Sequence, residues 1–289
     1  MKKELDVFAE CIRKAEALKG IFRVALVYPD DGLVRIARLA KEKGVAEPIA
    51  FSSQSIAGIE TRLAGSPEEA VEKALELCLQ GGADTLVKGL LNTNTFLKAI
   101  VKSPFKTGYI THCSVLAIPG FEKAVVVSDG TVTPFPDLAQ KVEIIKNAVR
   151  CARLLGKSVV DVAVLSANEL VLPGIPSGTD AAVLCKMAER GQITSAVIDG
   201  PMALDSALSK SACEKKGLRF AFEPPADVLI APDLESAAMF IKSAVYLAGA
   251  RVAGVLWGTR NPVVLTSRAD SEDAKYVSLC LCKLAVRQR

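Results

Sequence analysis

The fold of this chain can be inferred from VALVYPDDG at residues 24–32, where a buried strand and the turn after it stand side by side. Residues 24–28 are mostly apolar, which is typical of a strand covered on both faces, and Pro-Asp-Asp-Gly is typical of a turn. A helical pattern follows over residues 33–43, and a second strand is predicted over 48–51 after Gly44. This order of strand, helix and strand predicts an α/β fold with a parallel sheet.

The same alternation extends in both directions from this stretch. Upstream, residues 4–19 have an amphipathic helical pattern that ends at Gly20. Downstream, strands are predicted over 85–87, 159–165, 196–198 and 228–231, and helices over 67–80, 138–154, 179–189, 203–216 and 235–248. Residues 109–118 and 123–127 interrupt the pattern as two strands joined by a hairpin-like connection, Pro119-Gly120-Phe121, which predicts an antiparallel pair. A chain of 289 residues is long enough for two domains.

The composition restricts the function classes. Half of the residues are hydrophobic and only 5% are aromatic, so the predicted core is aliphatic. The formal charge of +4 comes without a block of lysines and arginines, which favours an anionic small ligand over a nucleic acid. No apolar stretch reaches membrane length and none follows the first residues, so we expect a cytoplasmic protein without a membrane partner. The eight cysteines form no CxxC pair, which predicts buried thiols and no metal site.

The segment TSRADSED at residues 266–273 is the first candidate site. It follows a predicted strand over 252–257, a break at Gly258, and a short apolar run over 263–265. A hydroxyl, a guanidinium and carboxylates at a strand end suit an oxyanion or a phosphate together with a proton acceptor. The alternative is a capped helix, with Ser271 as the N-cap and the acids at 272 and 273 facing the helix dipole.

A second polar cluster follows the strand at 85–87. Lys88, Asn92, Thr93 and Lys98 bring donors to one helix start, where a phosphate could bind. The alternative is plain capping, for which Asn94 or Thr95 is predicted as the N-cap. Neither G-x-G-x-x-G nor a Walker A sequence occurs, so the common nucleotide motifs are absent from the sequence.

Short polar residues also follow most other predicted strands. The only histidine, His112, lies within a strand, where a structural role is the commoner one. As a set, the strand-end residues predict a polar rim around one cleft: Ser128, Asp129, Ser166, Asp199, Asp233, Ser267 and Arg268.

Several of these segments resemble the phosphate acetyl/butyryltransferase family. They are DTLVKG at 84–89, Asn92-Thr93, Thr111-His112, PGF at 119–121, DGPMALD at 199–205, PDLE at 232–235 and TSRADS at 266–271. The resemblance covers nearly the whole chain from about residue 5. It implies two α/β domains around a cleft, of the isocitrate/isopropylmalate dehydrogenase type. Domain one would comprise residues 1–110 and 255–289, domain two residues 111–254, and the protein would be a homo-oligomer.

The resemblance also implies the reaction of a short-chain acyl-CoA with phosphate to give acyl phosphate and coenzyme A, in either direction. The chain length and the segment 199–205 favour the butanoyl branch, and phosphate acetyltransferase is the alternative. Coenzyme A would be a substrate or product, and no tightly bound cofactor or metal is expected. A dehydrogenase that uses NAD and a metal would need clustered aspartates, whereas here they are scattered. A homologue that binds coenzyme A or acyl phosphate without turnover is a third reading.

Residue roles carry over from the matching motifs. Ser267 and Arg268 would contact phosphate and the oxyanion, and Asp273 would be the base, with Asp270 as the alternative. The predicted substrate-binding residues are Lys88, Asn92, Thr93, Lys98, His112, Ser128, Asp129, Ser166 and Asp199. The chain departs from the family at Lys98, where an arginine is frequent, and at Gly130, where the acetyltransferase branch has a cysteine. The glycine favours direct transfer in a ternary complex over an acyl-cysteine.

Overall fold

The computed structural model describes residues 7–287, which form alternating helices and strands. The elements up to the first hairpin are α1 (Val7–Ala17), β1 (Arg23–Val27), α2 (Asp31–Glu42), β2 (Glu47–Ser52), β3 (Glu60–Leu63), α3 (Pro67–Leu79), β4 (Thr85–Lys88), α4 (Thr93–Lys102), β5 (Lys106–Ala117) and β6 (Val125–Ser128). The remaining elements are α5 (Leu138–Leu154), β7 (Val160–Leu165), α6 (Pro176–Glu189), β8 (Ala196–Met202), α7 (Leu204–Leu208), α8 (Lys210–Lys216), β9 (Val228–Ile230), α9 (Leu234–Tyr246), β10 (Arg251–Thr259), β11 (Val263–Val264) and α10 (Glu272–Arg287).

Within the described residues the chain forms two compact units. The N-terminal unit consists of residues 7–110 and 252–287, and the middle unit consists of residues 111–251. The predicted mixed α/β class is therefore confirmed.

The strands of the N-terminal unit follow the order β3-β2-β1-β4-β11-β10. All neighbours from β3 to β11 are parallel, and only β10 runs antiparallel to β11. The register aligns Val27 with Lys88, and Val87 with Val264, so β1, β4 and β11 end at the same edge. The residues that follow these three strands consequently emerge together, as expected for the carboxyl edge of a parallel sheet.

The middle unit contains the order β5-β6-β9-β7-β8. β5 and β6 form the antiparallel pair predicted from the interrupted pattern, with Val115 opposite Val126. The pairs β6–β9, β9–β7 and β7–β8 are parallel. The segments after β6 and β7 therefore start from one edge of this sheet.

Several local predictions were wrong. The strand β10 does not end at Gly258 but continues to Thr259. Gly258 has φ +88°, and a Cβ there would lie 2.1 Å from the carbonyl oxygen of Tyr109, so the glycine permits close backbone packing inside the strand. The helix predicted over 203–216 is two helices, which meet at Ser209. Strand β3 was not predicted, because the sequence of Glu60–Leu63 is mostly polar and has no buried face.

The part of the helix prediction that falls on residues 4–6 lies outside the described residues. Among residues 7–287 no helix is long and apolar enough to cross a membrane. All eight cysteines are free thiols, and all except Cys185 are buried.

Candidate functional site

A small pocket opens at the carboxyl edge of the N-terminal unit's sheet. Its lining residues come from the segments after β1, β4 and β11 and from the first turns of α2 and α10: Asp30, Leu33, Lys88, Gly89, Thr266, Ser267, Arg268 and Lys275. Lysine and arginine outnumber the acid among these residues. The pocket therefore combines positive charge with two hydroxyl groups, which suits an oxyanion such as phosphate.

Gly89 allows the first two segments to approach closely. Its N–H donates to the carbonyl oxygen of Val27 at 2.9 Å. A Cβ at position 89 would lie 2.2 Å from the carbonyl oxygen of Tyr28, so any other residue would push the segments apart. The glycine thus brings Lys88 and Asp30 to the same pocket.

Lys88 is one of two buried cations of this pocket, at 6% exposure, and Lys275 is the other, at 9%. Burial lowers the pKa of the Lys88 ammonium, and the positive charges of Arg268 and Lys275 lower it further, against the opposing effect of Asp30. Its Nζ lies 3.4 Å from the carbonyl oxygen of Gly89, which is a weak hydrogen bond. An anionic ligand would relieve this concentration of positive charge.

The sequence prediction missed Asp30 and Lys275. Asp30 is the N-cap of α2, where its Oδ1 accepts a hydrogen bond from the N–H of Leu33 at 2.6 Å. Its Oδ2 lies 3.8 Å from Nζ of Lys275, which is on α10. Arg35 and Glu272 pair at 2.8 Å and 2.5 Å and so attach the first turn of α10 to α2. Asp30 follows a strand directly and could have been found by the rule used for the other strand ends, whereas Lys275 has no local signal.

A tight turn presents Ser267 and Arg268 to solvent. The N–H of Ser267 donates to Oδ2 of Asp270 at 2.7 Å, and the N–H of Asp270 donates to the carbonyl oxygen of Ser267 at 3.2 Å. Burial raises the pKa of the Asp270 carboxyl, while the Ser267 N–H and the charge of Lys275 oppose that rise. The side chains of Ser267 and Arg268 are exposed, so they remain accessible to a ligand.

The helix cap and the candidate site lie next to each other at the start of α10. Ser271 accepts a hydrogen bond from the N–H of Ala274 at 3.1 Å, as the capping alternative predicted. Asp273 lies in the first turn with an exposed side chain. Its position, beside the turn that carries Arg268, is compatible with the role of a base.

The polar cluster after β4 lies next in the chain to Lys88 but does not line the pocket. Asn92, and not Asn94 or Thr95 as predicted, is the N-cap of α4, because its side chain accepts from the N–H of Asn94 at 2.9 Å. Thr93 is the first residue of the helix, and Lys98 is exposed one turn later. None of these three residues is among the residues that line the Lys88 pocket.

In the middle unit, His112, Ser128 and Asp129 lie together. Ser128 donates its hydroxyl to the carbonyl oxygen of His112 at 2.9 Å, and the His112 ring is buried, with Nδ1 3.5 Å from Oγ of Ser114. Asp129 is 4% exposed, and its Oδ1 accepts from the N–H groups of Thr131 and Val132 at 2.9 Å and 3.0 Å. Burial raises the pKa of Asp129 to about 6, although these N–H groups favour its charged form.

Ser166 and Asp199 make local contacts in the same unit. Oγ of Ser166 lies 3.0 Å from Oγ of Ser177, at the start of α6. Asp199 was expected at a strand end, but it lies inside β8, which continues to Met202. Both of its carboxyl oxygens bind backbone N–H groups, those of Gly200 at 2.8 Å and Ala221 at 2.6 Å. Asp233 is the N-cap of α9 in a capping box. These contacts give Asp199 and Asp233 structural roles.

The raised pKa of Asp129 predicts a pH-dependent stability. Between pH 3.8 and about 6 the folded protein binds a proton at this carboxyl that the unfolded chain has released. The free energy of unfolding should therefore fall as pH rises through this interval, by up to about 3 kcal/mol, and then level off. Urea unfolding of the wild type and Asp129→Asn across this range measures the difference. Parallel stability profiles for the two proteins would contradict the assignment.

Among the residues that the structure describes, no group of three or more histidine, cysteine, aspartate or glutamate side chains could hold a metal ion. The eight residues of the N-terminal pocket instead bring three cationic side chains and two hydroxyl groups close to an acidic helix start. Cationic side chains and hydroxyl donors of this kind can stabilise an oxyanion.

Known proteins with similar sequences and structures identify the family. The sequence model of the family described as Phosphate acetyl/butaryl transferase matches residues 37–282. The chain is 37% identical to the phosphate acetyltransferase of Thermotoga maritima over 266 residues, 87% of this chain and 90% of the relative. It is 36% identical to the phosphate butyryltransferase of Clostridium acetobutylicum over 293 residues, 96% of this chain and 97% of the relative.

A solved structure extends this likeness to three dimensions. The branched-chain phosphotransacylase from Enterococcus faecalis V583 superimposes with a TM-score of 0.84 at 26% identity, over 92% of this chain and 99% of that one. The matches to the acetyl and butyryl branches are almost equal in identity, at 37% and 36%. The chain therefore belongs to the phosphate acetyl/butaryl transferase family, and it is an acyltransferase.

Proposed function

We propose that this protein interconverts a short-chain acyl-CoA and phosphate with acyl phosphate and coenzyme A, with butanoyl-CoA as the favoured substrate. The observation that carries the proposal is the pocket of the N-terminal unit, which is lined by Lys88, Arg268 and Lys275 together with the hydroxyl residues Thr266 and Ser267. These groups have the charge and the donors that a transferred phosphate requires. Family membership supports the reaction class.

The proposed chemistry follows from these groups. In the direction of thioester synthesis, the sulfur of coenzyme A attacks the acyl phosphate carbonyl, a C–S bond forms, and the C–O bond to phosphate breaks. Asp273 takes the thiol proton, and Arg268 with Ser267 stabilises the tetrahedral oxyanion. Lys88 and Lys275 hold the phosphate that leaves. In the reverse direction a phosphate oxygen attacks the thioester carbonyl, and the protonated carboxyl returns its proton to the sulfur.

Direct transfer in a ternary complex is the proposed route. A Cβ at position 130 would lie 2.8 Å from Cδ1 of Ile241, so a cysteine at this position would require its surroundings to shift. Burial raises the pKa of Cys78 and Cys185 to about 12, which leaves these thiols protonated and poorly nucleophilic at neutral pH. These observations favour coenzyme A itself as the nucleophile.

The N-terminus of α4 is the proposed second anion contact. Asn92, Thr93 and Lys98 would bind a phosphate group of the substrates, through the helix N–H groups and the exposed ammonium. Lysine at 98 supplies charge without the bidentate fork of arginine, so it would orient the group less tightly. Binding roles for His112, Ser128, Asp129, Ser166 and Asp199 stay predictions beside their observed structural contacts.

Removing the charge of Lys88 should lower activity without lowering the stability of the fold. Lys88→Met keeps the volume of the side chain, and it removes a buried ammonium whose lowered pKa indicates a cost to the fold. We expect the free energy of unfolding at neutral pH to be no lower than in the wild type, while kcat/KM for phosphate falls by about 10–100-fold, the scale of one charged hydrogen bond. Unfolding curves and initial rates measure both. A variant with unchanged kcat/KM would exclude Lys88 from phosphate binding.

The decisive assay follows phosphate-dependent release of coenzyme A from acetyl-, propanoyl-, butanoyl- and isobutanoyl-CoA with a thiol reagent. A maximum at four carbons supports the butanoyl assignment, and a maximum at acetyl-CoA supports the alternative, a phosphate acetyltransferase. Release without phosphate is the control for hydrolysis. Binding of coenzyme A by calorimetry without any turnover would instead favour a homologue that senses its ligands.

The domain boundaries, the domain arrangement, the location and the cofactor requirement also belong to the proposal. The boundaries 1–110 with 255–289 and 111–254 are the proposed domains, and the compact units observed within the described residues support them. The isocitrate/isopropylmalate dehydrogenase-like arrangement, the cytoplasmic location and the lack of a tightly bound cofactor also stay proposals.

A further inference from the structure

Asp30 is the one acidic residue among the eight that line the N-terminal pocket. Lys88, Arg268 and Lys275 line the same space, so the pocket combines three cations with one carboxylate. A site that only had to attract an anion would gain nothing from this carboxylate, because it repels an anionic ligand at short range. The presence of Asp30 in the pocket therefore needs a second reason besides the attraction of negative charge.

Helix capping accounts for only one of the two carboxylate oxygens. Oδ1 accepts a hydrogen bond from the N–H of Leu33 at 2.6 Å, which closes the first turn of α2. Oδ2 lies 3.8 Å from Nζ of Lys275, close enough for charge attraction but beyond hydrogen-bond distance. Among residues 7–287 no group donates a hydrogen bond to Oδ2. The side chain is 32% exposed, so Oδ2 is an acceptor that a ligand in the pocket can reach.

A carboxylate acceptor among cations distinguishes oxyanions by their protons. At neutral pH inorganic phosphate and arsenate carry at least one hydroxyl group, whereas sulfate is fully ionised and has only acceptor oxygens. The cations of the pocket can bind the unprotonated oxygens of all three anions. Asp30 can accept a hydrogen bond only from the hydroxyl of phosphate or arsenate, whereas sulfate would place a charged oxygen against the carboxylate without a proton between them.

We propose that Asp30 makes the pocket specific for tetrahedral oxyanions that carry a proton, because its Oδ2 accepts a hydrogen bond from their hydroxyl group. Lys88, Arg268 and Lys275 bind the other oxygens of the same anion. The inference rests on the proposed function, since it concerns the phosphate site of that reaction, and it names the class of oxyanion that the site accepts. A pocket of cations and hydroxyl groups alone would attract sulfate as well, so the carboxylate supplies the repulsive element that specificity requires.

Asp30→Asn tests this proposal with little change of shape. Asparagine is an equally good N-cap, so its Oδ1 can retain the hydrogen bond from Leu33. Its amide NH₂ takes the place of Oδ2 and donates hydrogen bonds, so it favours sulfate and cannot accept the phosphate hydroxyl. Asp137→Asn is the matched control, because Asp137 is the N-cap of α5 and does not line the pocket.

Calorimetric titration of the full chain with inorganic phosphate, arsenate or sulfate, at constant ionic strength and without acyl-CoA, measures the specificity. The wild type and Asp137→Asn should bind phosphate and arsenate at least about tenfold more tightly than sulfate, the scale of one hydrogen bond to a charged group. In Asp30→Asn this ratio should fall at least about tenfold. A wild type that binds sulfate as tightly as phosphate, or an Asp30→Asn variant that keeps the wild-type ratio, would overturn the proposal.

Asp30→Ser is a second variant that keeps the proposal testable if the asparagine protein does not fold. Serine is also a good N-cap, and its short side chain removes the carboxylate from the pocket. The preference for phosphate over sulfate should fall here too, and thermal melting shows whether each variant is folded. An unchanged preference in a folded Asp30→Ser protein would contradict the role of the carboxylate.

The assay of coenzyme A release distinguishes this inference from the proposed function. In that assay the ratio of the sulfate inhibition constant to the phosphate KM should fall in Asp30→Asn as the calorimetric ratio does. A phosphate preference that depends on Asp30, in a protein without turnover, would support the inference and contradict the proposed reaction. Phosphate-dependent turnover that sulfate inhibits equally in the wild type and in Asp30→Asn would have the opposite meaning. The absence of both anion binding and turnover would overturn both.

Discussion

Arg268→Ala is expected to lower the turnover number by about 10²–10³-fold, the usual effect of removing one donor to a developing oxyanion. Arg268 is exposed on the turn stabilised by Ser267 and Asp270, so the substitution removes the guanidinium without disturbing a core. The loss should appear mainly in kcat, because the donor acts most strongly when charge develops on the carbonyl oxygen. Initial rates of phosphate-dependent coenzyme A release measure it.

Two further variants make this test specific. Arg268→Lys retains the charge but loses the planar fork, so its rate should lie between those of the wild type and the alanine variant. Arg62→Ala is the control, since Arg62 pairs with Glu60 at 3.3 Å and lies on the outermost strand β3. A folded Arg268→Ala protein with near wild-type activity would remove Arg268 from the mechanism.

The second large effect is expected from asparagine substitutions that show whether Asp273 or Asp270 is the base. Asp273→Asn is expected to lower kcat by about 10²–10⁴-fold, because an amide cannot accept the thiol proton. Asp270→Asn should cost less than tenfold if Asp270 only stabilises the turn, since an amide oxygen can still accept the hydrogen bond from Ser267. Measuring kcat for the two asparagine variants in one steady-state assay therefore compares the loss of charge at the two neighbouring carboxylates.

The reverse ranking would reassign the base. If Asp270→Asn loses activity by several orders of magnitude while Asp273→Asn stays active, Asp270 takes the proton, and its raised pKa would then suit that role. Asp270→Ala adds a structural control, because it removes the acceptor for the Ser267 N–H and should destabilise the turn in either case. Its melting temperature distinguishes a lost fold from lost chemistry.

Local patterns were sufficient for most of the elements. The apolar run at 24–28 and the turn after it predicted β1 and the start of α2, because a strand covered on both faces needs a continuous apolar stretch. The predicted antiparallel pair is present as β5 and β6. Boundaries were wrong where a distant contact replaced a local preference. Gly258 resembles a strand end in sequence, but it lets β10 pass the backbone of Tyr109.

The candidate site was predictable only in part. Lys88, Ser267 and Arg268 were found because polar residues after apolar strands mark the ligand-binding edge of a parallel sheet. The same rule also selected Asp199, whose two carboxylate oxygens accept hydrogen bonds from backbone N–H groups, because a polar residue near a strand end can be a ligand contact or a loop anchor. Lys275 was missed since its position in the pocket depends on how α10 packs against α2.

The linear order of residues was enough to establish the α/β class, the order of most elements, and the family, because these depend on neighbours in the chain and on motifs within short segments. The pocket itself arose from packing. The register of β1, β4 and β11 places Lys88 beside a turn that follows it by almost two hundred residues, and Asp30 joins Lys275 across the same edge. Charged residues so distant in sequence come together only because the sheet aligns the ends of its strands. That alignment depends on strand pairing and cannot be inferred from a local sequence pattern.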